Sequence, residues 1–283
     1  MCGAGQVTEP APFSYRASSQ MISLEGSQRT LLLTLRGRAD EHARPDGLLR
    51  DPLAADWLAR LGWDPTFDAV YTPGLQTGFA VRARVMDDVT RAFLAERPTA
   101  LVIEIGAGLS TRPYRIEAPD ARWALVDLPD ALAVRATLEA PEPRLLPIPA
   151  GFGDSAWIAA LPPLDARDVL LIAEGVLLFL DPGEMRRGVD LLRQHLPGAT
   201  FLLDASGAAF SAAARARWAS AGAAVNWLID GAQDIRALGL HIERQWPTLE
   251  QFPERWKGLL RYPLSRAQKQ AAVLYETRVL EAS

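Results

Sequence analysis

The sequence predicts an α/β protein: a seven-stranded, mostly parallel sheet flanked by helices, with an N-terminal helical cap and a helical insertion after strand five. Three observations carry this. From Leu101 onward, short runs rich in Val, Ile and Leu alternate with helix-period segments, the pattern of strands covered on both faces. The residues ahead of Leu101 hold helix-forming segments and no confident strand. A chain of 283 residues with 49% hydrophobic and 23% charged side chains can bury a large core.

The elements follow in order. Residues 1–20, with Pro10, Pro12 and small polar side chains, read as a flexible tail. The rest, 21–283, is expected to form a single domain: a helical cap over 21–98, a cofactor-binding core over 99–205, and a substrate cover with the final strands over 206–283. Helices are expected at Gln28–Arg38, at Asp51–Leu61 with proline in its first turn, and at Arg82–Leu94, where Val85, Val89 and Phe93 recur at helical spacing. Strands are expected at Leu101–Ile105, Arg122–Val126, Arg144–Ile148, Val169–Ala173 and Thr200–Asp204, with weaker signals at His241–Trp246 and Tyr275–Leu280. Pro182–His195 reads as a helix stopped by Pro197-Gly198, and the alanine-rich stretch Ala208–Leu228 as the helical insertion.

Composition narrows the function. The formal charge of −4 offers no basic excess for a nucleic acid partner. A single cysteine, Cys2, leaves neither a disulfide framework nor a metal-thiolate cluster, so a reducing cytoplasm and no metal are expected. His42, His195 and His241 share no ligand spacing. No segment approaches the ~20 apolar residues of a membrane span, so no membrane partner is expected, and nothing in the sequence reports the oligomeric state.

Parallel sheets bind ligands beyond the carboxyl ends of their strands, and here those ends are polar. The first strand ends Glu104-Ile-Gly106-Ala107-Gly108, a turn tight enough for a nucleotide-like ligand, with the next helix expected to start near Thr111. Asp127 follows the second strand at about the ~20-residue interval that brings a carboxylate to ribose hydroxyls. Gly153-Asp154-Ser155 after the third strand can receive an adenine amino group, and Glu174-Gly175 follows the fourth. A nicotinamide dinucleotide competes as ligand. However, the third glycine of its fingerprint is Thr111 here, and Glu104 would repel a pyrophosphate. A cofactor with a cationic or zwitterionic head, such as S-adenosyl-L-methionine, suits the turn better, and its carboxylate calls for an arginine.

The segments Gly78-Phe-Ala-Val-Arg-Ala-Arg-Val-Met-Asp-Asp88, Glu104-Ile-Gly-Ala-Gly-Leu-Ser-Thr-Arg112, Val126-Asp127-Leu-Pro129 and Glu174-Gly-Val-Leu-Leu-Phe-Leu180 together resemble the leucine carboxyl methyltransferase family. The likeness is to its bacterial branch acting on polyketide carboxyl groups, of the tetracenomycin-pathway type, and it runs from about Glu25 to Asp204. The resemblance implies a Rossmann-like class I methyltransferase fold and S-adenosyl-L-methionine as cofactor, leaving S-adenosyl-L-homocysteine. It places Arg82, assisted by Arg29, at the cofactor carboxylate. Glu104 and Gly106 fall near the methionine part, Asp127 at the ribose, Asp154 with Ser155 at the adenine, and Glu174 near the amine, with Ala107, Gly108 and Leu128 also in the cofactor-binding set. The chain departs from the family at Ser110, where aspartate is frequent.

Plainer readings stand beside these. Arg82 and Arg84 would suit a solvated helix face, and Asp127 and Asp154 a turn and a helix cap. Glu104 inside an apolar strand needs a cationic partner wherever it sits. Trp218, Trp227, Trp246 and Trp256 fit core packing and an aromatic-substrate pocket equally.

For the reaction, an acceptor carboxylate is ionised at neutral pH and needs no general base, so no catalytic residue is expected. The expected activity is S-adenosylmethionine-dependent O-methylation of a small aromatic or polyketide-like acid, with Tyr71, Arg112, Tyr114 and Trp227 as candidates to contact it. The alternatives are phenolic O-methylation and a non-catalytic S-adenosylmethionine-binding regulator.

Overall fold

A computed structural model describes residues 29–208, 212–220, 222–259 and 265–282, so the tail expected at 1–20 lies outside the described residues. Three helices come first: α1 (Leu31–Ala43), α2 (Pro52–Leu61) and α3 (Pro73–Glu96). Asp51 caps α2 by accepting from the Ala54 N–H, and Thr72 caps α3 through the Leu75 N–H, each with proline in the first turn. The alternating part then runs β1 (Leu101–Ile105), α4 (Arg112–Arg115), β2 (Arg122–Asp127), α5 (Pro129–Ala136), β3 (Leu145–Pro149), α6 (Ala156–Ala159), β4 (Val169–Ala173), α7 (Pro182–His195) and β5 (Thr200–Ser206). It closes with α8 (Ala212–Ser220), α9 (Ala232–Ala237), β6 (Leu240–Pro247), α10 (Arg266–Lys269) and β7 (Ala272–Val279).

All seven expected strands join one sheet, in the order β3-β2-β1-β4-β5-β7-β6. Strands β1 to β5 are parallel, and β7 runs antiparallel between β5 and β6. Strand order reverses direction between β1 and β4, which opens a crevice at their carboxyl ends.

Alternation along the strands sorts the core into two layers. Ile103, Val126, Leu171 and Phe201 face Met185, Val189 and Leu192 of α7. Val102, Leu125, Ile172 and Leu202 face Val85, Met86, Val89 and Phe93 of α3. The helix expected as part of a cap is therefore a wall of the core, and it begins at Pro73 rather than Arg82. The covering part is α1 and α2, whose Leu35, Ala39, Trp57 and Leu58 pack on Leu109 beyond the β1 turn and on Val134 and Leu138.

The helix expected to start near Thr111 begins at Arg112 with Thr111 as its N-cap residue; it is a single turn, α4, because the chain leaves helical geometry at Ile116 and turns at 119–120 to enter β2. The insertion expected over Ala208–Leu228 contains α8, while 209–211 and 221 lie outside the described residues. Among the described residues, no helix is long and apolar enough to cross a membrane.

Candidate cofactor and active site

The period-2 rule that builds the core also builds the site. Glu104 lies two residues beyond Val102, Glu174 two beyond Ile172, and Asp204 two beyond Leu202, so all three carboxylates emerge on the α3 side of the sheet. There α3 supplies Arg82 and Asp87, and α4 supplies Arg112 and Arg115. Arg82 donates from Nε to Glu174 (3.2 Å) and from Nη1 to Asp204 (3.0 Å). Arg112 donates to Asp87 (2.8 Å), Glu104 and Glu174, and Arg115 to both oxygens of Asp87. On α1, Arg38 donates to Asp51 (3.0 Å) and to the Leu109 carbonyl (2.6 Å).

Burial alone would raise the Glu174 pKa, but Arg112, Arg82 and Arg38 outweigh it and hold the carboxyl well below the usual range. A group depressed in the folded state stabilises it fully above its unfolded value, and that contribution is lost as pH falls toward the folded value. The urea-unfolding free energy is therefore expected to decline on acidification below the ordinary glutamate pKa of 4.5. Glu174→Gln should flatten that limb of the profile.

A cavity of about 270 Å³ opens above this network. Its floor is Glu104, Gly106, Ala107 and Arg112, and Glu174, Gly175 and Val176 close one side. Asp127 and Leu128 line the β2 end, Ala150, Gly151 and Phe152 the β3 end, and Thr30, Leu31, Thr34 and Arg38 reach over from α1.

The cavity fits the expected cofactor. Glu104 is 3% exposed; one oxygen accepts from Ser110 and Arg112, while Oε2 is buried without a partner among the described residues. An unpaired buried carboxylate oxygen is costly and suits a cationic ammonium or sulfonium. Asp127 Oδ2 accepts from the Gly108 N–H (2.6 Å) and Oδ1 from the Leu128 N–H (2.7 Å). Each oxygen keeps a further lone pair for a ribose hydroxyl. Leu128 is 45% exposed at the cavity edge, an apolar surface on which a purine can stack.

The glycines are required by space. A Cβ on Gly106, whose φ is +63°, would stand 2.3 Å from Val176 Cγ2, and one on Gly108, at φ +45°, 2.4 Å from Leu31 Cδ2. Gly106→Ala is expected to cost ~1–3 kcal/mol through the positive φ and overpacking, read as a lowered melting temperature.

Several sequence-predicted residues fall elsewhere. Arg29 does not line the cavity; it pairs with Asp64, donates to Thr66 (2.9 Å) and lies over the Phe67 ring. Asp154 and Ser155 are exposed outside the cavity; Asp154 accepts from the Ala156 N–H (2.9 Å) just ahead of α6, whose N-cap residue is Ser155. Of the candidates for the acceptor, Arg112 is 1% exposed with its guanidinium shared among three carboxylates, so it organises the floor rather than reaching a substrate. Tyr71 donates to Asp40 (2.8 Å) against Trp63, and Tyr114 to Glu139 (2.9 Å) against Trp57. Burial and the Glu139 hydrogen bond push the Tyr114 pKa up to about 12. Trp227 packs on the α7-side core. None of these three lines the cavity. The Trp residues otherwise divide: Trp218 meets Phe179 on the cavity wall, while Trp246 and Trp256 are packing residues.

The residues missed from sequence are Thr30, Thr34, Arg38, Glu184 and Asp204. A carboxylate at the end of an apolar strand is the same signal that marks Glu104 and Glu174, and it could have marked Asp204. The α1 residues carry no such signal, because an arginine on a helix reads as a solvated face.

Strand order, the turn at the β1/β4 crevice and the acidic strand ends define a Rossmann-like class I methyltransferase. Comparison with known proteins agrees. The solved structure of a Thermobifida fusca protein assigned to the methyltransferases has the same fold, with a TM-score of 0.57 and 18% identity, covering 90% of this chain and 96% of that one. Residues 32–192 match the leucine carboxyl methyltransferase family. The tetracenomycin polyketide synthesis O-methyltransferase TcmP of Streptomyces glaucescens is 30% identical over 243 residues, 82% of this chain and 86% of that protein. The S-adenosyl-L-methionine-dependent methyltransferase dpfgK of Gibberella zeae is 28% identical over 61% of each chain. This chain belongs to the leucine carboxyl methyltransferase family and is an S-adenosylmethionine-dependent methyltransferase.

Proposed function

We propose that the protein transfers a methyl group from S-adenosyl-L-methionine to a carboxylate of a small aromatic or polyketide-like acid, giving a methyl ester. When bound, the cofactor supplies an electrophilic methyl carbon on a sulfonium. The protein's task is then to hold the parts in line, exclude water and balance charge. Asp127 accepts the ribose hydroxyls, the free oxygen of Glu104 faces cationic charge, and Arg82 faces the cofactor carboxylate. Phe179, Leu180 and Val176 form an apolar wall beside these groups that shields the reacting atoms from water and suits an aromatic acceptor.

The observation that carries the carboxylate reading is the cavity lining. Among the described residues it contains three arginines, no histidine, lysine, tyrosine or cysteine, and four carboxylates, of which Glu104 and Asp127 face the cofactor in this reading and Glu174 is held by Arg82 and Arg112, so that Glu184, a weak base, is the one left to take a proton. A carboxylate acceptor requires no base, whereas a phenol of pKa ~10 does. Likeness to TcmP, named for tetracenomycin polyketide synthesis, supports an acceptor of polyketide type. We place the reaction in the cytoplasm, with no metal and no nucleic acid or membrane partner.

The pH dependence of turnover tests the acceptor class. With an aromatic acid, kcat is expected to stay level between about pH 6 and 9, because the acceptor is already ionised. A rate rising about tenfold per pH unit over that range would identify a phenol attacking as its anion.

A further inference from the structure

Asp204, on β5, ties together two parts of the site that come from different elements. Its Oδ1 accepts from the Gly175 N–H at 2.6 Å and its Oδ2 from Arg82 Nη1 at 3.0 Å. Gly175 has φ +69°, and a Cβ there would stand 2.8 Å from Arg82 Nη2. The guanidinium thus lies flat against the glycine turn after β4, with Asp204 clamping both. Glu174 takes the Nε–H on another edge. An arginine has five N–H donors in one plane, so fixing two of them fixes the direction of the remaining three. The long side chain would otherwise sample many rotamers at an entropic cost on binding.

We propose that Asp204 is a positioning residue for cofactor binding: by holding Arg82 against the Gly175 turn, it presents the free edge of the guanidinium to the carboxylate of the cofactor's amino-acid part. The inference rests on the reading that Arg82 faces that carboxylate. Asn at 204 offers one oxygen and one N–H₂ group, so it can accept from Gly175 or from Arg82 and sets a donor against the other.

The test compares two ligands by calorimetry: S-adenosylhomocysteine, which has the amino-acid carboxylate, and 5′-methylthioadenosine, which lacks it. Asp204→Asn is expected to weaken the first by about tenfold or more and leave the second within about twofold, the loss of one charge-assisted contact. Asp204→Ser, which keeps a small acceptor near Gly175 and withdraws the one for Arg82, should show the same selectivity if the asparagine variant folds poorly. Arg82→Lys should reproduce the pattern, and the double variant should be no weaker than Arg82→Lys alone, because the two residues act as one unit. Equal weakening of both ligands by both position-204 variants, as a general structural role would give, overturns the proposal, and so does additivity in the double variant. If Arg82→Lys is selective and neither position-204 variant is, the inference fails while the reading of Arg82 survives. If Arg82→Lys leaves both affinities unchanged, both fail.

Discussion

Replacing Arg112 by alanine is expected to destabilise the protein by about 3–5 kcal/mol, the typical cost of removing one partner from a buried ion pair. For a chain of this size that corresponds to a melting temperature lower by roughly 6–20 °C. The reason is local and countable. Arg112 is 1% exposed and its three nitrogens donate to Asp87, Glu104 and Glu174, so its removal strips charge compensation from three carboxylates at once. Arg115 still neutralises Asp87, and Arg82 still reaches Glu174, but Glu104 loses its cation. Arg112→Lys should fall between, since one ammonium cannot meet three acceptors arranged around a planar fork. Thermal and urea unfolding read the effect directly. A variant that melts like the parent and shows only a raised KM for the acceptor would restore Arg112 to the substrate-steering role and contradict the buried geometry.

The second large effect is expected at Asp127. Asp127→Ala should weaken S-adenosylhomocysteine binding by about 2–4 kcal/mol, roughly 30- to 1000-fold, because two charge-assisted hydrogen bonds to ribose hydroxyls are lost. Part of that loss is indirect. The Asp127 carboxylate also accepts from the Gly108 and Leu128 N–H groups, so its removal loosens the glycine turn that shapes the cavity floor. Burial pushes the Asp127 pKa above the ordinary 3.8, with the two N–H groups opposing the shift. Protonation removes an acceptor, so cofactor affinity in the parent should fall on acidification starting at a higher pH than for an exposed aspartate, and that dependence should vanish in the alanine variant. Calorimetry across pH measures both, and unchanged affinity in Asp127→Ala would remove the residue from the site.

These two residues also show what the sequence makes legible. Asp127 is readable because its position depends on local facts: a buried strand, its carboxyl end and a fixed interval from Gly106. The sheet is readable for the same reason, and all seven strands form within a few residues of their expected bounds. Glu104 follows from burial alone, since a carboxylate inside Leu-Val-Ile-Glu-Ile demands a cation. Which cation answers it does not follow, because Arg112 reaches Glu104 only through the single-turn α4 and Arg82 reaches Asp204 across 122 positions of chain. Arg29 illustrates the same limit: an arginine just ahead of α1 suits the cofactor by sequence position, and the fold pairs it with Asp64 away from the cavity lining. Tyr71 and Tyr114 point the same way. Tyr71, in the loop ahead of α3, and Tyr114, in α4 after the glycine turn, look available to a ligand until α1 and α2 fold over the β1 turn and absorb them into the packing around Trp63 and Trp57. Asp154, expected at the adenine, lies outside the cavity and accepts from the Ala156 N–H, while Leu128, Gly151 and Phe152 line the β2 and β3 end with contacts that leave no motif.

A sulfonium cofactor and an acid acceptor meeting in one cavity leave a methyl ester as product, and the product is directly measurable. The protein is incubated with methyl-labelled S-adenosylmethionine and a panel of aromatic acids, and the labelled product is treated with mild base. The expected result is label transferred to an acid and released by base as methanol, as a methyl ester requires. Label that stays on the product through base treatment, as in a phenol ether, would contradict it.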